Sequence, residues 1–125
     1  MKNNSHSPVV ALDSIPKKTV EAGKATSMQV LISAETAPNF AMRCFTIESG
    51  GNMPEHTNTI EHEQYVLSGR ATVGIGGEIY QVKQGDVVFI SAGEPHWYRT
   101  VGNEAFRFLC LVPNRPDHIE LTKRS

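Results

Sequence analysis

Residues 50–69 read GGNMPEHTNTIEHEQYVLSG, and the organisation of the chain follows from them. A Gly-Gly turn precedes His56, Asn58 follows two residues later, then His62, and a hydrophobic run closes at Gly69. Side chains alternate faces along a strand, so His56 and Asn58 should point the same way. Polar Thr57 and Thr59 let the chain turn and bring His62 beside them. A third imidazole, His96, sits in a second glycine- and proline-marked segment, GDVVFISAGEPHWYRT, residues 85–100. Three histidines and an amide meeting at one point would make a metal site.

Outward from this stretch the chain reads as short strands separated by turn residues. Ser27–Ser33 and Phe40–Ile47 are strand-like, and Glu48-Ser49-Gly50-Gly51 is a strong turn signal that should end the second of them. Further strands are expected near Met53–Asn58, Glu63–Leu67, Arg70–Ile75, Glu78–Lys83, Val87–Ile90, His96–Thr100 and Phe106–Val112. Gly76-Gly77 between two β runs is hairpin chemistry. About ten short strands without a convincing 3.6-residue period predict an all-β sandwich or barrel. Residues 1–20 read as an N-terminal arm, in which Val9–Leu12 could add an edge strand to a partner subunit. Residues 21–116 form the barrel, and residues 117–125 a polar C-terminal tail.

Composition excludes several classes. The chain has 125 residues, enough for one core. With 12 basic and 13 acidic residues and no basic stripe, it lacks the electrostatic footprint of a nucleic-acid binder. No apolar run approaches the roughly 18 residues that would span a bilayer, so no membrane partner is expected. The first residues lack the apolar segment of a secretory signal, which makes the cytoplasm the expected compartment. Cys44 and Cys110 form no CxxC pair and lie in apolar strands, the setting of buried, reduced thiols.

The spacing G50-x5-H56-x-N58-x3-H62-x6-G69 resembles the first motif of the cupins, and G85-x5-S91-x-G93-x2-H96-x3-T100 resembles the second. The 15-residue spacer Arg70–Gln84 is of the kind small single-domain cupins carry. The resemblance covers roughly Ser27–Pro113. It implies a double-stranded β-helix, or jelly-roll barrel, with one divalent metal (Mn, Fe, Ni or Zn) near its centre and a homodimeric assembly. Residue by residue it carries over His56, His62 and His96 as metal ligands, with Asn58 as the fourth candidate. His62 stands where the usual motif has glutamate, which resembles a four-histidine, manganese-holding subgroup. Asn58 stands where that subgroup has its remaining histidine. Ser91 and Thr100 replace the usual proline and asparagine.

Alternation places the pocket walls. Gln64 and Val66 share the face of His62, and Tyr98 and Thr100 share that of His96. The resemblance favours Phe108 and Cys110 as the pocket-facing set of the last strand. Gln64, Tyr98, Phe108 and Cys110 are therefore the candidate substrate-binding residues. Plainer alternatives stand beside each: Tyr98 as barrel lining with its hydroxyl on a backbone group, Cys110 as a small buried hydrophobe. Asn58 could ligate, hold a water on the metal, or cap the turn before Thr59. Arg43 is open; facing inward, it would suit a carboxylate substrate. Glu55, Glu61 and Glu63 neighbour inward-facing histidines and should point away from them. The expected function is metal-dependent chemistry of dioxygenase or isomerase type on a small oxygenated or anionic compound. The alternative is a non-catalytic small-ligand binder, with or without metal.

Overall fold

The computed structural model describes residues 7–122. Its strands are β1 (Lys18–Thr19), β2 (Lys24–Ile32), β3 (Phe40–Asn58), β4 (His62–Ser68), β5 (Arg70–Ile75), β6 (Glu78–Lys83), β7 (Val87–Ile90), β8 (His96–Val101), β9 (Phe106–Pro113) and β10 (Ile119–Leu121). They form one antiparallel sheet in the order β6-β5-β8-β3-β9-β4-β7, with β2 and β10 added along β3 and β1 added to β2. The sheet curls into the expected jelly-roll barrel. Its core holds Ile47, Val66, Val73, Ile90, Phe106 and Phe108. The hairpin read at Gly76-Gly77 forms: β5 and β6 pair directly up to Ile75 and Glu78, and Gly76 and Gly77 between them both take positive φ.

The 19-residue β3 corrects the expected strand break at Gly50-Gly51. Its first part pairs with β9 from Phe40 to Ile47, and its second pairs with β8 from Asn52 to His56. One strand thus serves both halves of the barrel. Against β2 the register jumps from Thr26–Ile47 to Lys24–Asn52, so residues 48–51 bow out without reversing the chain. Gly50 supplies the bend with φ +81°. A Cβ on Gly51 would sit 2.6 Å from the Lys24 carbonyl oxygen and 2.9 Å from the Ile47 side chain. The glycines therefore let a strand bend and approach its neighbour closely, the other use of such a pair.

The C-terminal end of the described chain also differs from expectation, and part of the N-terminal arm packs on its own barrel. Leu12–Ser14 is a 3₁₀ turn, and the carbonyls of Leu12 and Ile15 accept hydrogen bonds from Gln29 Nε2, so this part of the arm lies on its own barrel. Val9 and Val10 are exposed. The stretch expected as a polar tail contains β10, which pairs Ile119, Glu120 and Leu121 with Asn58, Thr57 and His56 of β3. Ile-Glu-Leu is itself a short alternating strand pattern. Residues 123–125 of that expected tail, and residues 1–6 of the arm, lie outside the described residues.

Candidate functional site

The four candidate ligands come from three strands. His56 and Asn58 end β3, His62 opens β4 and His96 opens β8. Their exposures are 6%, 5%, 6% and 1%, so all four lie inside the barrel. β3 and β8 pair His56 with His96 directly, which puts their ring centroids 4.2 Å apart; His62 and His96 are 5.7 Å apart. All four residues line one cavity of about 300 Å³.

Backbone carbonyls fix two of the imidazoles. His56 Nδ1–H donates to Pro54 O at 3.0 Å, and His96 Nδ1–H donates to Glu94 O at 2.9 Å. A ring that donates through Nδ1 keeps its lone pair on Nε2. In His96 that Nε2 is buried without a partner, and in His62 both ring nitrogens are. Asn58 Nδ2 donates to Asp117 Oδ2 at 3.0 Å, which leaves Asn58 Oδ1 buried and unpartnered. The other Asp117 oxygen accepts from Thr59 N at 2.9 Å and Thr59 Oγ1 at 3.1 Å. Neither Asp117 nor its role is marked by any motif; its neighbourhood forms only because β10 docks on β3.

Electrostatics keep the imidazoles neutral. Burial lowers His56, against the pull of its bond to Pro54. Burial and the Arg43 charge bring His62 down to about 3, and burial with the neighbouring His56 brings His96 down to about 4. Partial burial pushes the Asp117 carboxyl up, but hydrogen bonds from Asn58 and Thr59 outweigh it and hold the carboxyl below its ordinary range. The donor set is thus three neutral imidazoles and an amide oxygen, a chemistry that suits a divalent transition metal. The cluster is open: among the described residues, no group of three His, Cys, Asp or Glu side chains could hold a metal ion as it stands.

The candidate substrate-binding residues Gln64, Tyr98, Phe108 and Cys110 line the same cavity and are 4% exposed or less. Gln64 Nε2 donates to Tyr98 Oη at 2.7 Å, so the tyrosine hydroxyl pairs with a side chain, not with the backbone. Burial raises the Tyr98 hydroxyl and the Cys110 thiol, keeping both protonated at neutral pH. Arg43, open from sequence, faces in: its Nη2 lies 3.4 Å from Cys110 Sγ, opposite which it sits in the β3–β9 register. Phe45, which sequence reasoning left open along with Arg43, lines the cavity too, as do Ile119 and Leu121 of β10. Glu55 is off the cavity lining, yet it is buried; its carboxylate accepts from Thr122 Oγ1 at 2.6 Å beneath the C-terminal segment. Among the described residues, no Asp or Glu lines the cavity.

Comparisons with known proteins agree with this architecture. A family model described as "Cupin domain" matches residues 43–112. An uncharacterized protein of Methanocaldococcus jannaschii, MJ1618, is 35% identical over 52 residues, which span 42% of this chain and 42% of that protein. The chain therefore matches less than half the length of that relative. Among solved structures, the polyketide cyclase RemF from Streptomyces resistomycificus superposes with a TM-score of 0.84 at 29% identity, covering 94% of this chain and 86% of RemF. A predicted oxalate decarboxylase from Thermotoga maritima gives 0.77 at 24% identity, with 84% of this chain and 97% of that one covered, a likeness of fold alone. With the family model spanning more than half of the sequence, the chain belongs to the cupin family.

Proposed function

We propose that this cupin binds one divalent metal through His56, His62 and His96, with the Asn58 amide oxygen as fourth donor, and uses it on a small oxygenated or anionic compound. The observation that carries the reading is the set of unpaired donor atoms. Pro54 and Glu94 carbonyls commit two rings to the tautomer with a free Nε2, and Asp117 turns the Asn58 amide so that its oxygen is the free end. Outer partners that fix a ligand's tautomer and orientation in this way are what metal sites use. A metal here would supply Lewis-acid or dioxygen chemistry. The chain's own residues do the rest: the Gln64–Tyr98 pair offers fixed polar contacts, and the Arg43 guanidinium on the cavity wall is a counter-charge for an anion. RemF, the neighbour with 29% identity, is named a polyketide cyclase, which supports an enzymatic reading without specifying a reaction. Whether the metal is manganese, as in the four-histidine subgroup, iron, nickel or zinc is the first thing calorimetry should decide. Chelator-treated protein titrated with each ion should bind one equivalent, and His62→Ala should lose it. Equal binding by His62→Ala would remove His62 from the site.

A second reading rests on a separate observation: the imidazole cluster is open and, among the described residues, no carboxylate side chain lines the cavity. On this reading the barrel binds a small ligand without turnover, with or without metal. Oxygen uptake and product analysis on metal-loaded protein separate the two. We also propose a homodimer. Tyr65, Ile79, Tyr80, Val87 and Phe89, on β4, β6 and β7, are exposed apolar side chains that a second copy could cover, which sedimentation at two concentrations would test. Among the described residues no helix is long and apolar enough to cross a membrane.

A further inference from the structure

One wall of the cavity is a continuous aromatic stack. Phe45 and Phe108 lie with centroids 5.3 Å apart at 13°, and Phe108 and Tyr98 at 5.1 Å and 17°. Tyr98 in turn meets His96 edge-on at 5.8 Å and 88°, which ties this wall to the imidazole cluster. At the other end the Arg43 guanidinium caps the Phe45 ring, 5.1 Å from its centroid. Arg43 Nε is buried and has no partner, and its Nη2 meets only the Cys110 sulfur, a weak acceptor. The one ion pair among the described residues is Lys83–Asp86, on the surface, so no carboxylate of the described chain neutralises Arg43. A guanidinium that lines a largely apolar chamber without a counter-charge is an anion site in waiting. The chamber itself, about 300 Å³ and without Asp or Glu among the described residues, is at the size of a small-molecule pocket and far roomier than a two-carbon diacid needs.

From this we infer that the cavity takes a planar aromatic carboxylate, its carboxylate on Arg43 and its ring against the Phe45–Phe108–Tyr98 wall. The inference names the substrate class of the proposed site and rests on that reading for its chemistry. Recognition itself requires only the barrel. Parallel stacked rings present their edges to whatever lies beside them, and a ligand ring meeting those edges gains the favoured edge-to-face contact. A small diacid would satisfy Arg43 but leave the aromatic wall uncovered. A neutral aromatic would cover the wall but leave the guanidinium without a counter-charge.

The test uses the full chain, stripped of metal by chelator, and calorimetric titration with 2-naphthoate, its neutral isostere 2-naphthalenemethanol, and oxalate. Naphthoate should bind at least about tenfold more tightly than either comparator, the fold-change expected of one charge-assisted hydrogen bond. Arg43→Gln should remove that advantage and leave naphthalenemethanol unchanged; Phe45→Leu should weaken both aromatic ligands. Circular dichroism and thermal melting establish that each variant is folded, and should Arg43→Gln fail to fold, Arg43→Met, equally uncharged and of similar length, serves in its place. Oxalate binding as tightly as naphthoate would overturn the proposal, as would naphthoate binding that is indifferent to the charge at residue 43. Metal binding by the same preparations is measured separately. Naphthoate selectivity without metal uptake would sink the metal site and leave the ligand class standing; metal uptake without naphthoate selectivity would do the reverse.

Discussion

Asn58 Nδ2 lies 3.0 Å from Asp117 Oδ2, and this contact decides which end of the buried amide is left unpaired. Because an amide nitrogen can only donate, the carboxylate orients the oxygen as the free atom. Asp117→Ala removes that constraint. We expect metal affinity to fall about tenfold, as for other outer partners of metal ligands, and stability to fall by about 1 kcal/mol. Calorimetric metal titration and urea unfolding measure the two effects, and an unchanged metal affinity would mean that Asp117 does not position Asn58 for ligation.

Asn58→His restores an imidazole at the fourth position. With amide oxygen the weakest donor of the set, a neutral imidazole there should bind nickel or zinc more tightly than the wild-type chain does. Competition against a fluorescent chelator reads this directly, and no gain would place residue 58 outside the ligand sphere.

The imidazoles make the metal-free protein acid-sensitive. His62 and His96 stay neutral in the fold down to about 3 and about 4, because burial, with the Arg43 charge for His62 and the His56 charge for His96, opposes their protonation. In the unfolded chain they take up protons below about 6.5. Their contribution to stability is therefore whole above that pH and is lost as the pH falls toward 4 and then 3. Each should add a slope of about 1.4 kcal/mol per pH unit within its window. Urea midpoints between pH 7 and 5 should drop for the wild type and drop less for His62→Leu. Equal drops would contradict the burial of a neutral His62.

The bend in β3 can be tested at Gly51. An alanine there would press its Cβ on the Lys24 carbonyl oxygen at 2.6 Å and on Ile47 at 2.9 Å. Neither the strand backbone nor the fully buried Ile47 can yield cheaply, so Gly51→Ala should destabilise by about 1–3 kcal/mol in chemical denaturation. A neutral substitution would show that β2 does not approach β3 this closely.

Most of the barrel was legible because alternation and turn residues are local. The inward faces of β4 and β8 followed from His62 and His96 alone: His62, Gln64 and Val66 are buried, as are His96, Tyr98 and Thr100. What stayed hidden depends on pairing across long sequence separations. Gly50-Gly51 carries the same signal whether a strand reverses or bends, and only the partners β8 and β2 decide between them. Arg43 was undecidable for a related reason, since Met42, Arg43, Cys44 and Phe45 alternate between two faces that are both covered. Asp117 looked like part of a solvated tail because its partner Asn58 lies 59 residues away. The candidate ligand cluster was legible only as a pair of motifs, and Asn58 gained its orientation from the one segment that those motifs do not include.

The most direct measurement is the metal content of untagged protein, purified without chelators and then dialysed against trace manganese, iron, nickel or zinc, by plasma mass spectrometry. Close to one equivalent of one metal per chain is expected, lost in His96→Ala. Protein that holds no metal after each dialysis would contradict the proposed metal site and leave a barrel that binds its ligand with protein groups alone.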